Sequence, residues 1–195
     1  MPEIEHHPLR PFLPCDARLL MLGSFPPPRQ RWCVDFFYPN RSNMMWEVMG
    51  LVFYGDAQRL VDVEHKTFRK DDIIAMLNAK GIAIYDTATA VRRLQGNASD
   101  KFLEVVEKTD IAALLRQIPH CHDVVCTGQK ATETLCSDYG AQQPRMGEST
   151  TFEIDGRTMR LHRMPSTSRA FPMPLAEKAA YYEKMMRQVG CLAQD

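Results

Sequence analysis

Neither sign of charge is in excess in this chain: 24 lysines and arginines stand against 24 aspartates and glutamates. Its overall field therefore gives no pull toward a polyanion, and a nucleic-acid partner has to be argued from local patches. No apolar run approaches the roughly 20 residues needed to cross a bilayer, so no membrane segment is expected. The six cysteines, at 15, 33, 121, 126, 136 and 191, form no C-x-x-C pair and no zinc or cluster spacing, and no signal peptide is read ahead of them. A reduced, cytoplasmic compartment is the expectation. The six histidines include no H-E-x-x-H spacing, so no metal and no other cofactor is expected. Repeats and low-complexity segments are also missing.

What is present suits one domain. At 195 residues with 45% hydrophobic composition, the chain can bury a substantial core. Residues 1–17, with prolines at 2, 8, 11 and 14, read as an extended arm laid over a single domain at 18–195. His6-His7 in that arm reads as a solvated pair.

The domain is organised around residues 18–46. An apolar run at 19–22 has the character of a strand buried on both faces and stops at Gly23-Ser24. Pro26, Pro27 and Pro28 then force the chain to leave as a stiff loop. Phe36, Phe37 and Tyr38 follow, next to the polar run Asn40-Arg41-Ser42-Asn43. Aromatic faces beside amides suit a flat, partly polar ligand, but the same residues would serve as a core cap and a helix cap.

Downstream, the periodicity predicts a buried helix from about Met44 to before Gly55, and a helix from Asp71-Asp72 closed by Gly81. A strand at 82–85 carries Asp86 at its carboxyl end. A helix opens at Asp110 and is stopped by Pro119, and a strand at 123–126 leads through Thr127-Gly128 into a helix at 130–139. Asp155-Gly156 signals a hairpin between 151–154 and 157–162, and a last helix spans about 175–189. The order β-α-α-β-α-β-α predicts an α/β fold, a three-layer α/β/α sandwich around a mainly parallel four-stranded sheet, with a short hairpin strand as a possible addition. Loops at 23–43, 86–100 and 164–171 should then meet at the carboxyl ends of the strands, where open α/β sheets bind ligands. Arg157, Arg160, Arg163 and Arg169, with no acid between 157 and 176, make a local basic strip: a phosphate-binding edge or a solvated strand face.

The segments LGSFPPP, FFYPNRSNMMW, YDTATAVRRLQGNASD, DVVCTGQKA and MPSTSRA, in this order, resemble the uracil-DNA glycosylase superfamily, specifically its mismatch-specific and hypoxanthine-DNA glycosylase-like branch. The resemblance spans most of 18–190. It implies an α/β/α sandwich that excises a deaminated or mismatched base from DNA without a metal, as a monomer with damaged duplex or single-stranded DNA as partner. Asn43, three residues before Trp46, takes the place of the branch's motif asparagine, which is implicated in orienting water or contacting the base. Asn40 falls where that branch usually has histidine, and the alternative assignment of the amide to it stays open. The chain departs from the pattern at Pro27 (usually glycine), Tyr85 (tryptophan), Thr127 (asparagine) and Arg169 (proline), and it lacks the four cysteines of the iron–sulfur members.

Glycosidic cleavage creates a positive sugar and a departing base with negative charge, so donors to the base and a placed water are needed. Under the resemblance, Asn43 is the catalytic amide. Gly23, Ser24 and Phe25 offer backbone donors, Phe37 or Tyr38 a stacking face, and Asn40 and Thr127 further base contacts. Ser166, Thr167, Ser168 and Arg163 grip the DNA backbone, while Arg169 or Phe171 fills the vacated stack. Asp86, Thr127-Gly128 and Ser166-Thr167 are equally readable as caps and turns. Two other readings stand beside this one: a non-catalytic nucleic-acid-binding relative, and a flavodoxin-like nucleotide-binding protein. The proline-rich first loop speaks against the latter, which needs a phosphate-cradling glycine loop.

Overall fold

A computed structural model of the protein describes residues 2–95 and 100–193. Its strands and helices in chain order are β1 (Ile4–His6), β2 (Leu19–Gly23), α1 (Met45–Tyr54), β3 (Val61–Asp62), β4 (Thr67–Phe68), α2 (Lys70–Lys80), β5 (Ile82–Asp86), β6 (Ala88–Arg93), β7 (Leu103–Lys108), α3 (Ile111–Gln117), β8 (Asp123–Thr127), α4 (Gln129–Tyr139), β9 (Ser149–Ile154), β10 (Arg157–Met164) and α5 (Leu175–Gln188).

The central sheet has five strands in the order β5-β2-β8-β10-β9. The first four are parallel, and β9 is an antiparallel edge formed by the Asp155-Gly156 hairpin. The expected four-stranded sheet is thus one strand short, because the hairpin partner joins the ladder in full register from Ile154 to Ser149. Every residue of β2, β5 and β8 is buried, so both faces of the sheet are covered, as the apolar runs at 19–22, 82–85 and 124–126 require.

Helix α1 is apolar nearly all round. Met45, Trp46, Val48 and Met49 have no exposed surface, and the Trp46 indole N–H donates to the Phe37 carbonyl at 3.1 Å. Side chains buried to this degree contribute about 1.5–3 kcal/mol each. The helix ends at Gly55 in a left-handed C-cap and packs against α5. Asp110 caps α3 by accepting from the Ala113 N–H at 2.8 Å.

A second, three-stranded antiparallel sheet, β1-β6-β7, was not anticipated. It grows directly out of the first: only Thr87 separates β5 from β6. Seven of the eleven described residues in the segment expected as a loop at 86–100 are therefore strand, and residues 96–99 lie outside the described residues. The N-terminal arm supplies β1, and farther along it Phe12 bridges to Ile84 of β5.

No helix among the described residues is long and apolar enough to cross a membrane.

Candidate active site

The chain runs from β2 to β5 on one side and then crosses to β8 on the other, so the strand order reverses next to β2. At the carboxyl end of this switch point lies a cleft of about 630 Å³, within the roughly 300–1,000 Å³ of small-molecule sites. Gly23 of β2, Asp86 of β5, Thr127 of β8 and Met164 of β10 all reach it.

The floor is set by Gly23 and Asp86. A Cβ at residue 23 would lie 2.3 Å from Asp86 Oδ1 and 3.4 Å from Tyr38 Oη, so only glycine leaves the carboxylate its place. Asp86 is 7% exposed. Its Oδ2 is taken by His7 Nε2 at 2.8 Å, whereas Oδ1 has no hydrogen bond from a described residue and is not sealed from solvent. Asp86 thus offers one uncommitted acceptor to the cleft. His7 is nearly buried, which corrects its reading as a solvated residue.

Beside this carboxylate stand two phenols. Tyr38 adopts a left-handed backbone (φ 48°), a conformation costing about 1–3 kcal/mol outside glycine. Its hydroxyl lies 2.8 Å from Thr127 Oγ1, which donates to the Leu22 carbonyl at 3.3 Å. With the Thr127 proton used in this way, Tyr38 is the donor to Thr127, and it turns lone pairs toward the cleft. Burial, then the charge of Asp86, raises the Tyr38 pKa well above the phenol range. The same two causes raise Tyr85 to about 12.

The two lips are joined to each other. Met44 N–H donates to the Thr167 carbonyl at 2.8 Å, and Arg169 N–H to the Ser42 carbonyl at 3.0 Å, around the bridge between Asn43 and Ser168. Asn43 Oδ1 accepts from Met45 N–H at 2.9 Å and from the Thr167 hydroxyl at 2.8 Å. The amide oxygen is thereby committed to the fold, and Nδ2 is the end left for a ligand. Ser166 and Ser168 shape the turn through bonds from Ser168 N–H and Ala170 N–H, each 3.2 Å. The buried Lys178 donates to the Ser168 carbonyl at 2.7 Å beneath the Phe171 ring, and burial lowers its pKa.

Of the residues singled out in the sequence, Gly23, Ser24, Phe25, Tyr38, Asn40, Asn43, Thr127, Arg163, Ser166, Thr167, Ser168 and Phe171 all line this cleft. Several do so in other ways than expected. Phe37 does not line it at all: its ring packs edge-on against Phe36 and Tyr85 in the core. The Phe25 ring belongs to a small apolar cluster with Ala88, Val91 and Leu103. Thr167 is 2% exposed and its hydroxyl points inward to Asn43. Arg169 turns away to pair with Glu47 of α1 at 3.0 Å. The basic strip is likewise mostly spent internally. Arg157 caps carbonyls at 115, 119 and 121, Arg160 binds Asp123, and Arg163 alone of the four reaches the cleft.

The cations that the sequence reading missed are Arg31, Lys101 and Lys130, which join Arg163 around the opening. They are scattered over three separate loops and helix ends, so no local charge run announces them. Lys130 sits in the first turn of α4, whose N-terminus opens on the cleft after Gly128 at φ 110°. Asp86 and His7 were also missed as a pair, since 79 residues separate them. Among the described residues no group of three His, Cys, Asp or Glu is placed to hold a metal ion.

No family model matches this chain, and no curated protein matches it either. Among solved structures, the solution NMR structure of a candidate uracil DNA glycosylase from Methanosarcina acetivorans aligns with a TM-score of 0.64 at 20% identity, covering 96% of this chain and 99% of that one. Over almost its whole length, this chain shares the fold of that protein.

Proposed function

We propose that the protein is a monofunctional DNA glycosylase that hydrolyses the N-glycosidic bond of a flipped-out, deaminated or mismatched nucleotide of the uracil or hypoxanthine class. The observation that carries the reading is Asp86 Oδ1, a carboxylate oxygen with no hydrogen bond from a described residue, at the floor of a nucleoside-sized cleft rimmed by Arg31, Lys101, Lys130 and Arg163. The rim cations suit phosphates on either side of an extruded nucleotide. The ordered sequence motifs and the shared fold support the same class.

In this reading Asp86 is the catalytic residue. Its carboxylate holds a water beneath the sugar, takes the proton as the water oxygen bonds to C1′, and steadies the positive charge that develops there. The C1′–N bond breaks with its electron pair going to the base. Asn43 Nδ2 and backbone N–H groups of the 23–25 turn donate to the departing anion, which then takes up a proton. Asn43 is a ligand contact, not the base, because its oxygen is held by Met45 and Thr167.

The experiment is a cleavage assay on single-stranded and duplex oligonucleotides carrying uracil, hypoxanthine, xanthine or a thymine mismatch. Excision of at least one, lost in Asp86→Asn and reduced in Asn43→Ala, is expected. Excision that survives intact in both variants, or none from any substrate, would defeat the proposal. A non-catalytic nucleic-acid-binding role is favoured by one feature, the commitment of Asn43 Oδ1 to the fold. Salt-dependent DNA binding without product selects it.

A further inference from the structure

We infer that His7, carried in by the N-terminal arm, is a positioning residue for the Asp86 carboxylate, so that the arm is a working part of the site. The inference rests on the glycosylase reading, in which Asp86 acts on water.

The arm is fastened on both sides of His7 to the two strands that flank Asp86. Ahead of it, β1 pairs with β6, Ile4 opposite Arg92 and His6 opposite Ala90. The His7 N–H donates to the Thr89 carbonyl at 2.8 Å. Beyond it, Phe12 and Ile84 exchange backbone hydrogen bonds of 3.0 and 2.9 Å. The imidazole is thus set into an aromatic slot with ring centroids of Tyr85, Phe25 and Phe37 at 4.6, 5.3 and 6.2 Å. Its side chain is 2% exposed.

An apolar ring would fill such a slot without the desolvation cost of an imidazole, yet both nitrogens here are met. Nε2 faces Asp86 Oδ2 at 2.8 Å. Nδ1 has the Leu9 N–H at 3.1 Å and the Leu9 carbonyl at 3.0 Å. A neutral ring accepts from the former, and a protonated ring donates to the latter. The carboxylate opposite Nε2 favours the proton on that nitrogen in the neutral ring, so in both of these states an N–H is directed at Oδ2. With Oδ2 held and Gly23 pressed against the other side, the carboxylate cannot rotate, and Oδ1 is fixed as the oxygen turned to the cleft. Fixing the orientation of a general base through its second atom is the work of a positioning residue.

The test uses the full chain and whichever oligonucleotide the wild type cleaves. Single-turnover rates with enzyme in excess and Kd by fluorescence anisotropy are measured for His7→Phe, His7→Gln, Asp86→Asn and the His7→Phe/Asp86→Asn double variant. Phenylalanine keeps an aromatic ring in the slot but no donor, whereas the glutamine amide can reach Oδ2. Expected are a rate loss of about 10- to 100-fold in His7→Phe with Kd changed less than about twofold, recovery to within about fivefold in His7→Gln, and a double variant no slower than Asp86→Asn. A His7→Phe rate within about twofold of wild type, or losses that multiply in the double variant, would overturn the inference. Should His7→Phe not fold, a long-range ¹H–¹⁵N spectrum of the wild type decides: a proton on Nε2 supports it, and a bare Nε2 overturns it. A wild type that cleaves nothing removes the glycosylase reading together with this inference. An active wild type with an indifferent His7→Phe removes this inference alone.

Discussion

Replacing Gly23 by alanine adds a single methyl group, and the structure says where it lands. The new Cβ would be 2.3 Å from Asp86 Oδ1, where such contacts need at least 3.0 Å, so the carboxylate or the strand must give by about 0.7 Å. Retreat is blocked, because Oδ2 is already held by His7 at 2.8 Å and Tyr38 Oη lies 3.4 Å from the same methyl. Residue 23 lies in the extended ladder of β2 opposite Asp86, so alanine fits the backbone, and the strain falls on the carboxylate. A displacement approaching 1 Å costs about 100-fold in rate, and overpacking of this kind costs about 1–3 kcal/mol. For a domain of this size each kcal/mol lowers Tm by about 2–4 °C. Gly23→Ala is therefore expected to remain folded, to bind DNA, and to excise about 100-fold more slowly in single turnover. Because alanine keeps the N–H of residue 23, a backbone-donor role alone predicts little change. A folded Gly23→Ala excising within about threefold of wild type would refute the placement of Asp86 at the reaction centre.

Asn43→Ala removes the acceptor for both Met45 N–H and the buried Thr167 hydroxyl, so Tm should fall in line with a loss of about 1–3 kcal/mol as well as any loss of activity. An unchanged Tm would show that the two lips hold without it. Lys101→Ala/Lys130→Ala should weaken DNA binding and reduce the slope of log K against log salt by about 2, while Arg157→Ala, which caps carbonyls away from the cleft, should leave the slope alone and lower Tm. At Asp123, burial pushes the carboxyl pKa up, but bonds from His162 at 2.7 Å and Arg160 at 2.5 Å bring the net value below the usual range. The unfolded chain thus takes up this proton first as pH falls: the stabilisation is complete above about pH 5 and drains away through the lowered folded value. Thermal scans of wild type and Asp123→Asn should converge as the pH falls below the free aspartate value of about 4, and curves that stay parallel contradict the assignment.

The main sheet was legible because its strands are buried on both faces and carry unbroken apolar runs, as at 19–22 and 124–126, and because its helices end at glycines such as Gly55 and Gly81. The small sheet was not legible. In β6 the buried and exposed residues do not alternate, with Ala90 and Val91 both inside, and β7 is largely exposed with three of six residues charged. Neither has a period-two pattern to read. The residues at the cleft were found where one loop carries them, as at 38–43 and 166–168. His7 was missed because pairing across the fold makes that part of the site: it reads as surface until β1 is seen to lie on β6. Phe37 was placed at the cleft in error for the same reason, since only the folded core shows its ring packed against Phe36 and Tyr85. Arginines were overcounted for a related reason. Sequence shows a guanidinium but not the carbonyls of 115, 119 and 121 waiting for it.

The stitching between residues 42–44 and 167–169 has a mechanical consequence. Backbone bonds at 2.8 and 3.0 Å and the Thr167 to Asn43 bond make these two segments a single stiff collar, so neither can swing open without breaking the other's hydrogen bonds. In the proposed reading, an entering strand thus meets a rim that stays fixed along these two segments, and the deformation needed to pass them is borne by the guest.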